Sequence, residues 1–179
     1  MIRLVLIAMA VLVPAAATAE TVAGVPRVVD GDSLVVDGRP IRLARIDAPE
    51  MKQPEGRYVL AALKRHIAGR EVQCEGTDQD RYRRLVATCR IDGRSINAWL
   101  VGRGLAFAYW PFRDPVTLAR RPCPDQSMPE CHRTSPALLS IEDKARSAGR
   151  GLWRRDPLPT NPWCIRHPSG IDGWPIPCR

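Results

Sequence analysis

Lysine is nearly missing from this chain: Lys52, Lys64 and Lys144 are the only lysines among 27 basic residues, and the other 24 are arginine. Histidine is equally scarce. His66, His132 and His167 show no paired spacing, which argues against a histidine-ligated metal nuclease. None of the six cysteines forms a C-x-x-C pair, which argues against a zinc ribbon. The apolar run at residues 4–13 stops at Pro14, well short of the roughly 20 residues that cross a bilayer. There is no internal repeat. A composition of 45% hydrophobic and 26% charged residues excludes collagen, a coiled coil and a wholly disordered chain. The 179 residues fit one domain, able to bury roughly 70% of its unfolded surface.

Arginine and lysine together outweigh the acids. Against 19 Asp and Glu they leave a formal charge of +8, which suits an acidic partner such as nucleic acid or a phospholipid surface. Met1-Ile2-Arg3, the apolar run and Ala17-Thr18-Ala19 together read as an export signal over residues 1–19, cleaved before Glu20. The expected location is therefore periplasmic or secreted, with no membrane span once the signal is removed. In an oxidising compartment the six cysteines predict three disulfides, although six allow 15 pairings.

Residues 25–30, 33–37 and 40–46 read as strands, with Asp37-Gly38 as a hairpin turn. Residues 47–54 are a polar, proline-containing loop. Residues 55–68 form a helix with Val59, Leu63 and Ile67 on its core face and Gly69 as its stop. Residues 71–75 and 85–92 make a second hairpin around a polar tip at 76–84. Cys74 and Cys89 are equidistant from Arg81/Tyr82 on that tip, so they should pair across it. Proximity alone suggests Cys123–Cys131 and Cys164–Cys178. Ser95 caps a helix carrying Ile96, Trp99 and Leu100, which ends by Gly104. Residues 110–136 read as a proline-rich insertion holding two cysteines. A third helix starts at Ser135–Pro136 and ends near Gly149. The expected fold is α+β: a five-stranded OB-type β-barrel with three helices, spanning 20–153, followed by a proline-, Trp- and Cys-rich tail at 154–179.

Three segments carry chemistry. Val29-Asp30-Gly31-Asp32-Ser33 sets two carboxylates at a tight turn entering a strand. In residues 41–50, IRLARIDAPE, Arg42 lies between Ile41 and Leu43, where a guanidinium is costly unless an anion meets it. Asp47 and Glu50 follow on the loop. Asp80-Arg81-Tyr82-Arg83-Arg84 could grip a phosphate or be a solvated turn.

In this order the segments resemble the staphylococcal nuclease (thermonuclease) family, as do INAWLVGRGLA at 96–106 and ARSAGRGLW at 145–153. The resemblance implies a monomeric nuclease that hydrolyses DNA and/or RNA with Ca²⁺. It assigns Asp32, Asp47 and the Ala48 backbone carbonyl to the metal, with Glu50 as general base and a ligand through water. Arg42 and Arg84 would hold the scissile phosphate, and Tyr82, Arg81 and Tyr109 would contact substrate. Hard oxygen ligands suit Ca²⁺, and planar guanidinium forks match phosphate oxygens in pairs. One departure bears on activity: Arg83 stands where the family pattern D-x-Y-G-R has glycine, so a positive φ there would strain the turn. The alternative is a non-catalytic nucleic-acid- or protein-binding OB module of the cell envelope. The presence of Arg42, Glu50 and Arg84 together favours catalysis.

Overall fold

Proline lacks the N–H that a strand ladder needs, and Pro26 breaks the first barrel strand in two. The computed structural model describes residues 19–108 and 135–154. Ahead of the break, β1 (Glu20–Gly24) pairs antiparallel with β6 (Val72–Gln79). After it, β2 (Arg27–Val28) pairs with β3 (Ser33–Val36). The remaining strands of this sheet are β4 (Arg39–Leu43), β7 (Leu85–Ile91) and β8 (Arg94–Ser95). The order is β1-β6-β7-β4-β3-β2, with β8 added to β7. Its two ends, β1 and β2, are nearly consecutive in the chain, so the sheet must curl round on itself. That is the OB-type α+β fold expected from the sequence. A separate pair joins β5 (Ile46–Asp47) to β9 (Phe107–Ala108).

Two expectations about strands need correction. Residues 20–24 form a strand that the sequence reading left out, because its partner β6 lies some fifty residues away. The hairpin tip is also shorter than 76–84. The strands zip as far as Gln79 opposite Leu85, with a bulge between Gly76 and Asp78.

Helix α1 (Pro54–Ile67) starts on Pro54, whose missing N–H costs nothing in a first turn. It ends at Ile67, two residues before Gly69: Ala68 takes the left-handed conformation and donates its N–H to the Lys64 carbonyl. Val59, Leu63 and Ile67, spaced by four, are buried against the sheet among Leu34, Ile41, Leu43 and Leu85. Each contributes about 1.5–3 kcal/mol of burial free energy. Ser95 caps α2 (Ile96–Gly102) as expected, its Oγ accepting from the Ala98 N–H at 3.2 Å. Ser135 occupies the same position before α3 (Pro136–Ser147) but makes no side-chain cap hydrogen bond. A single 3₁₀ turn, Gly151–Arg154, ends the described region. Among the described residues no helix is long and apolar enough to cross a membrane.

Cys74 and Cys89 are register partners on β6 and β7, both fully buried, and are joined by a disulfide. Cys123, Cys131, Cys164 and Cys178 lie outside the described residues, as do Tyr109, the expected signal segment up to residue 18, nearly all of the proline-rich insertion and the tail beyond 154. Replacing Cys74 and Cys89 together by serine is expected to cost about 3 kcal/mol, from the closed loop released in the unfolded chain. Urea denaturation of the double variant, set against the oxidised parent, measures it.

Candidate active site

The turn before β3 is shaped by a missing Cβ. A Cβ on Gly31 would lie 2.6 Å from the Ala48 Cβ and 2.8 Å from a Val59 methyl. Glycine therefore lets this turn press against the loop after β5 and against α1. The turn closes through the Val29 N–H on the Ser33 carbonyl at 3.0 Å and the Asp32 N–H on Asp30 Oδ1 at 3.1 Å. The close approach lets Asp32 Oδ2 accept the Ala48 N–H at 3.0 Å. Gly56 does the same for the Glu50 loop. A Cβ there would meet the Glu50 carbonyl oxygen at 2.2 Å.

Sheet register brings the second carboxylate in. Ser33 sits opposite Arg42 across β3 and β4, and Arg42 lies beside Val86 in the parallel pairing with β7. Ile41 and Leu43 are fully buried, and the Arg42 side chain is only 17% exposed. Its charge is met from both sides. Arg42 Nη2 lies 3.1 Å from Asp32 Oδ2 and 3.2 Å from Asp47 Oδ1. Its Nη1 donates to the Leu43 and Ile46 carbonyls at 2.8 and 3.0 Å. One guanidinium thus ties two acids and the loop between them.

The hairpin tip completes the network. Arg84 Nε and Nη2 both lie 2.7 Å from Asp80 Oδ2, and Nη1 donates to Ser33 Oγ at 3.1 Å. Ser33 Oγ in turn donates to Asp32 Oδ1 at 3.2 Å. Arg84, Ser33, Asp32, Arg42 and Asp47 form one connected chain of polar contacts from three distant stretches of sequence. Tyr82 is 63% exposed, with the Arg81 and Arg84 guanidinium carbons 4.8 and 5.4 Å from its ring centre. Glu50 is exposed on the loop after β5, its N–H donating to Gln53 Oε1 at 2.6 Å.

The electrostatics divide in two. Burial and the neighbouring Asp32 charge push the Asp30 carboxyl above its usual range. Burial also pushes Asp80 up, but the Arg84 N–H and guanidinium and the Tyr82 N–H outweigh it and hold it below that range. Asp80 therefore stays ionised through mild acid and keeps Arg84 fixed. The acid turn carries an excess of negative charge, and the tip carries fixed positive charge.

Several positioning residues went unread in the sequence. Buried Asn97 accepts the Cys89 N–H at 3.1 Å and donates to the Ala44 carbonyl at 2.8 Å, pinning the chain after β4 to β7. Arg39 is paired with Glu20 at 2.6 Å and donates to the Arg83 carbonyl at 2.9 Å. Asp80 was read only as part of the tip. A carboxylate four residues before an arginine at a hairpin end is the signal that could have marked it.

A model of the Staphylococcal nuclease homologue family matches residues 40–155. The chain belongs to the staphylococcal nuclease family. It is 36% identical over 149 residues to a protein of Escherichia coli O157:H7 named an uncharacterized endonuclease, covering 80% of this chain and 83% of that one. It is 30% identical over 181 residues to a Shigella flexneri protein named micrococcal nuclease, covering 94% and 93%. An E. coli protein named ParB is 34% identical over 176 residues, covering 90% and 89%. This chain is a phosphodiester-hydrolysing nuclease, and nucleic acid is its substrate.

Against the family pattern, Arg83 is the telling departure. Asp80 and Arg84 close a three-residue loop, with Asp80 N–H on the Arg84 carbonyl at 3.0 Å and Arg83 N–H on the Asp80 carbonyl at 2.8 Å. Such loops need a left-handed residue in the third position, where glycine is preferred, and Arg83 has φ 63°. The Arg39 contact to its carbonyl holds it there. Arg83→Gly removes a strain of about 1–2 kcal/mol, but loosens the unfolded chain by about 0.5–1 kcal/mol. We expect stability within about 1 kcal/mol of the parent, turnover unchanged or raised, and slightly weaker nucleic-acid binding for the lost cation. Turnover at saturating substrate checks it; a large fall would show that Arg83 takes part in catalysis.

Proposed function

We propose that this staphylococcal nuclease homologue is an exported, Ca²⁺-dependent nuclease that cuts DNA and RNA around the Asp32–Arg42–Asp47 network. The observation that carries the reading is the unbroken chain of contacts from Arg84 through Ser33 and Asp32 to Arg42 and Asp47. It gathers two acids and two guanidinium groups at one place.

The donor set fits a hard divalent cation. Asp32 and Asp47 bring two carboxylates to the single Arg42 guanidinium, and both are oxygen donors. Among the described residues no group of three or more acidic, His or Cys side chains is arranged to hold a metal. The remaining ligands would then be the Ala48 carbonyl and water, including one reached by Glu50. A site with so few charged ligands belongs to the weaker class of Ca²⁺ sites, with Kd of order 10⁻⁴–10⁻³ M. Bound there, Ca²⁺ would polarise the phosphate and favour ionisation of the attacking water.

The chain's own groups do the rest. Glu50 accepts the proton of the water that attacks phosphorus, while the P–O bond to the leaving sugar oxygen breaks and that oxygen takes a proton from solvent. Arg84, held by Asp80, donates to the non-bridging oxygens as negative charge builds on them. Arg42 first fixes the two acids, and its remaining cationic field favours the same charge. Tyr82 and Arg81 lie on the exposed tip where a nucleotide would pass. The Cys74–Cys89 disulfide and the N-terminal signal pattern support work outside the cytoplasm.

A zymogram of the purified protein on DNA and on RNA tests the reading. Chelation should abolish cutting of both and Ca²⁺ should restore it. Mg²⁺ should rescue poorly, because its smaller octahedral shell alters the relation between metal, water and phosphate. Cutting that survives chelation would overturn the metal assignment.

A further inference from the structure

The structure holds a second cationic feature that the cleavage site does not use. An open groove of about 510 Å³ lies between α1, α2 and the final 3₁₀ turn, within the roughly 300–1,000 Å³ typical of ligand pockets. It contains none of the residues assigned to cleavage. Four arginines line it: Arg65, Arg103, Arg150 and Arg154. All four are exposed, and among the described residues none has a carboxylate partner. Arg150 and Arg154 donate only to backbone carbonyls, at 3.2 Å to Gly102 and 3.4 Å to Gly149. Among the described residues no acid lines the groove.

Flat rings share it with the cations. Tyr58 is 47% exposed, and the His66 and Trp99 rings stack at 3.7 Å with 6° between their planes. Burial, with Arg70 and Arg103 nearby, pushes the His66 imidazole below its usual range, so it is a neutral stacking ring at neutral pH. Four guanidinium groups without a carboxylate partner among the described residues, around one exposed and two half-buried rings, make a surface for an anion that also carries flat, apolar faces. Single-stranded nucleic acid has both, since its phosphates meet arginine and its unpaired bases stack on aromatic rings. The side chains of residues 155–179 offer the arginines no net negative charge, with Arg155, Arg166 and Arg179 against Asp156 and Asp172. Helix α1 runs from the Glu50 loop to the groove; its 14 residues span about 21 Å at 1.5 Å each, a distance one strand can bridge.

We propose that this groove is an exosite that holds single-stranded DNA or RNA beyond the scissile bond, with phosphates on the four arginines and a base on Tyr58. The proposal rests on the nuclease reading for its substrate, but its test does not need cleavage. With chelator present, anisotropy measures affinity for a labelled oligothymidylate longer than the roughly 4–16-nucleotide footprint of an OB fold. Arg65→Glu combined with Arg154→Glu should weaken binding about tenfold or more. It should also lower the slope of log K against log salt by about 1.4, the worth of two single-strand phosphate contacts. Lys64→Glu combined with Arg94→Glu makes the same charge change at exposed positions outside the groove and should weaken binding far less. A bromodeoxyuridine oligonucleotide should crosslink to the peptide containing Tyr58, and cleavage of a thymidine dinucleotide should be unchanged in the groove variant. Equal losses in the two double variants, or unchanged affinity with no crosslink at Tyr58, would overturn the exosite. A parent that binds and crosslinks there but never cuts would leave the exosite standing and overturn the cleavage site instead.

Discussion

Glu50→Gln is expected to lower turnover about 10²–10⁴-fold, and Arg84→Ala about 10²–10³-fold, on DNA and RNA alike. The glutamine keeps the size of Glu50 but cannot accept the proton of the attacking water. Arg84 matters because it is already fixed: two 2.7 Å contacts to Asp80 and one of 3.1 Å to Ser33 spare it reorganisation when the phosphate gains charge. A loss of 10² corresponds to about 2.7 kcal/mol of transition-state stabilisation. It should fall mainly on kcat rather than KM, since the contact strengthens as charge develops. Arg84→Lys should rescue little, because one ammonium cannot meet Asp80, Ser33 and a phosphate together. In the proposed mechanism both residues serve one transition state, so the double variant should lose less than the product of the single losses. Initial rates with saturating Ca²⁺ measure this, with circular dichroism confirming that the variants fold. Wild-type rates from both variants would remove Glu50 and Arg84 from the site.

The residues of this network were legible in the sequence because each sits in a short motif whose chemistry is local. Arg42 between two core residues demanded an anion, and the structure supplies Asp32 and Asp47. The Cys74–Cys89 pairing followed from hairpin symmetry alone, which the bulge at Gly76/Asp78 disturbs only nearer the tip. What brings Arg84 to Ser33, however, is the parallel pairing of β4 with β7, a non-local contact that no local pattern encodes. Strand β1 was missed for the same reason. ETVAG has two β-branched residues in five, and its pairing with β6 is decided by closure of the sheet. Gly31 and Gly56 read as ordinary turn and helix residues. Their role is steric, and the atoms that would clash come from Ala48, Val59 and Glu50. Arg39 carried no motif, yet it grips the carbonyl of the one left-handed residue on the tip.

The other large effect belongs to stability. Arg42→Ala removes the guanidinium that compensates two buried carboxylates, and it also strips the donors from the Leu43 and Ile46 carbonyls. Breaking one side of a buried ion pair costs about 3–5 kcal/mol, because the other charge stays buried without its partner. Here two acids lose one partner, so a value near the top of that range is expected in chelator, and activity should fall with it. Arg42→Ala combined with Asp47→Asn relieves half of the stranded charge and should regain stability without regaining turnover. That split separates the strut role of Arg42 from the catalytic role proposed for it. Calcium gives a further check on the same two carboxylates. A cation held by Asp32 and Asp47 stabilises the fold by RT ln(1 + [Ca²⁺]/Kd), so millimolar Ca²⁺ should raise the urea midpoint of the parent. The rise should be larger in Arg42→Ala, where the acids have lost their internal cation, and smaller once Asp47 is also asparagine. Equal shifts in all three proteins would mean that Ca²⁺ acts elsewhere and that Asp32 and Asp47 are bound to Arg42 for the sake of the fold alone.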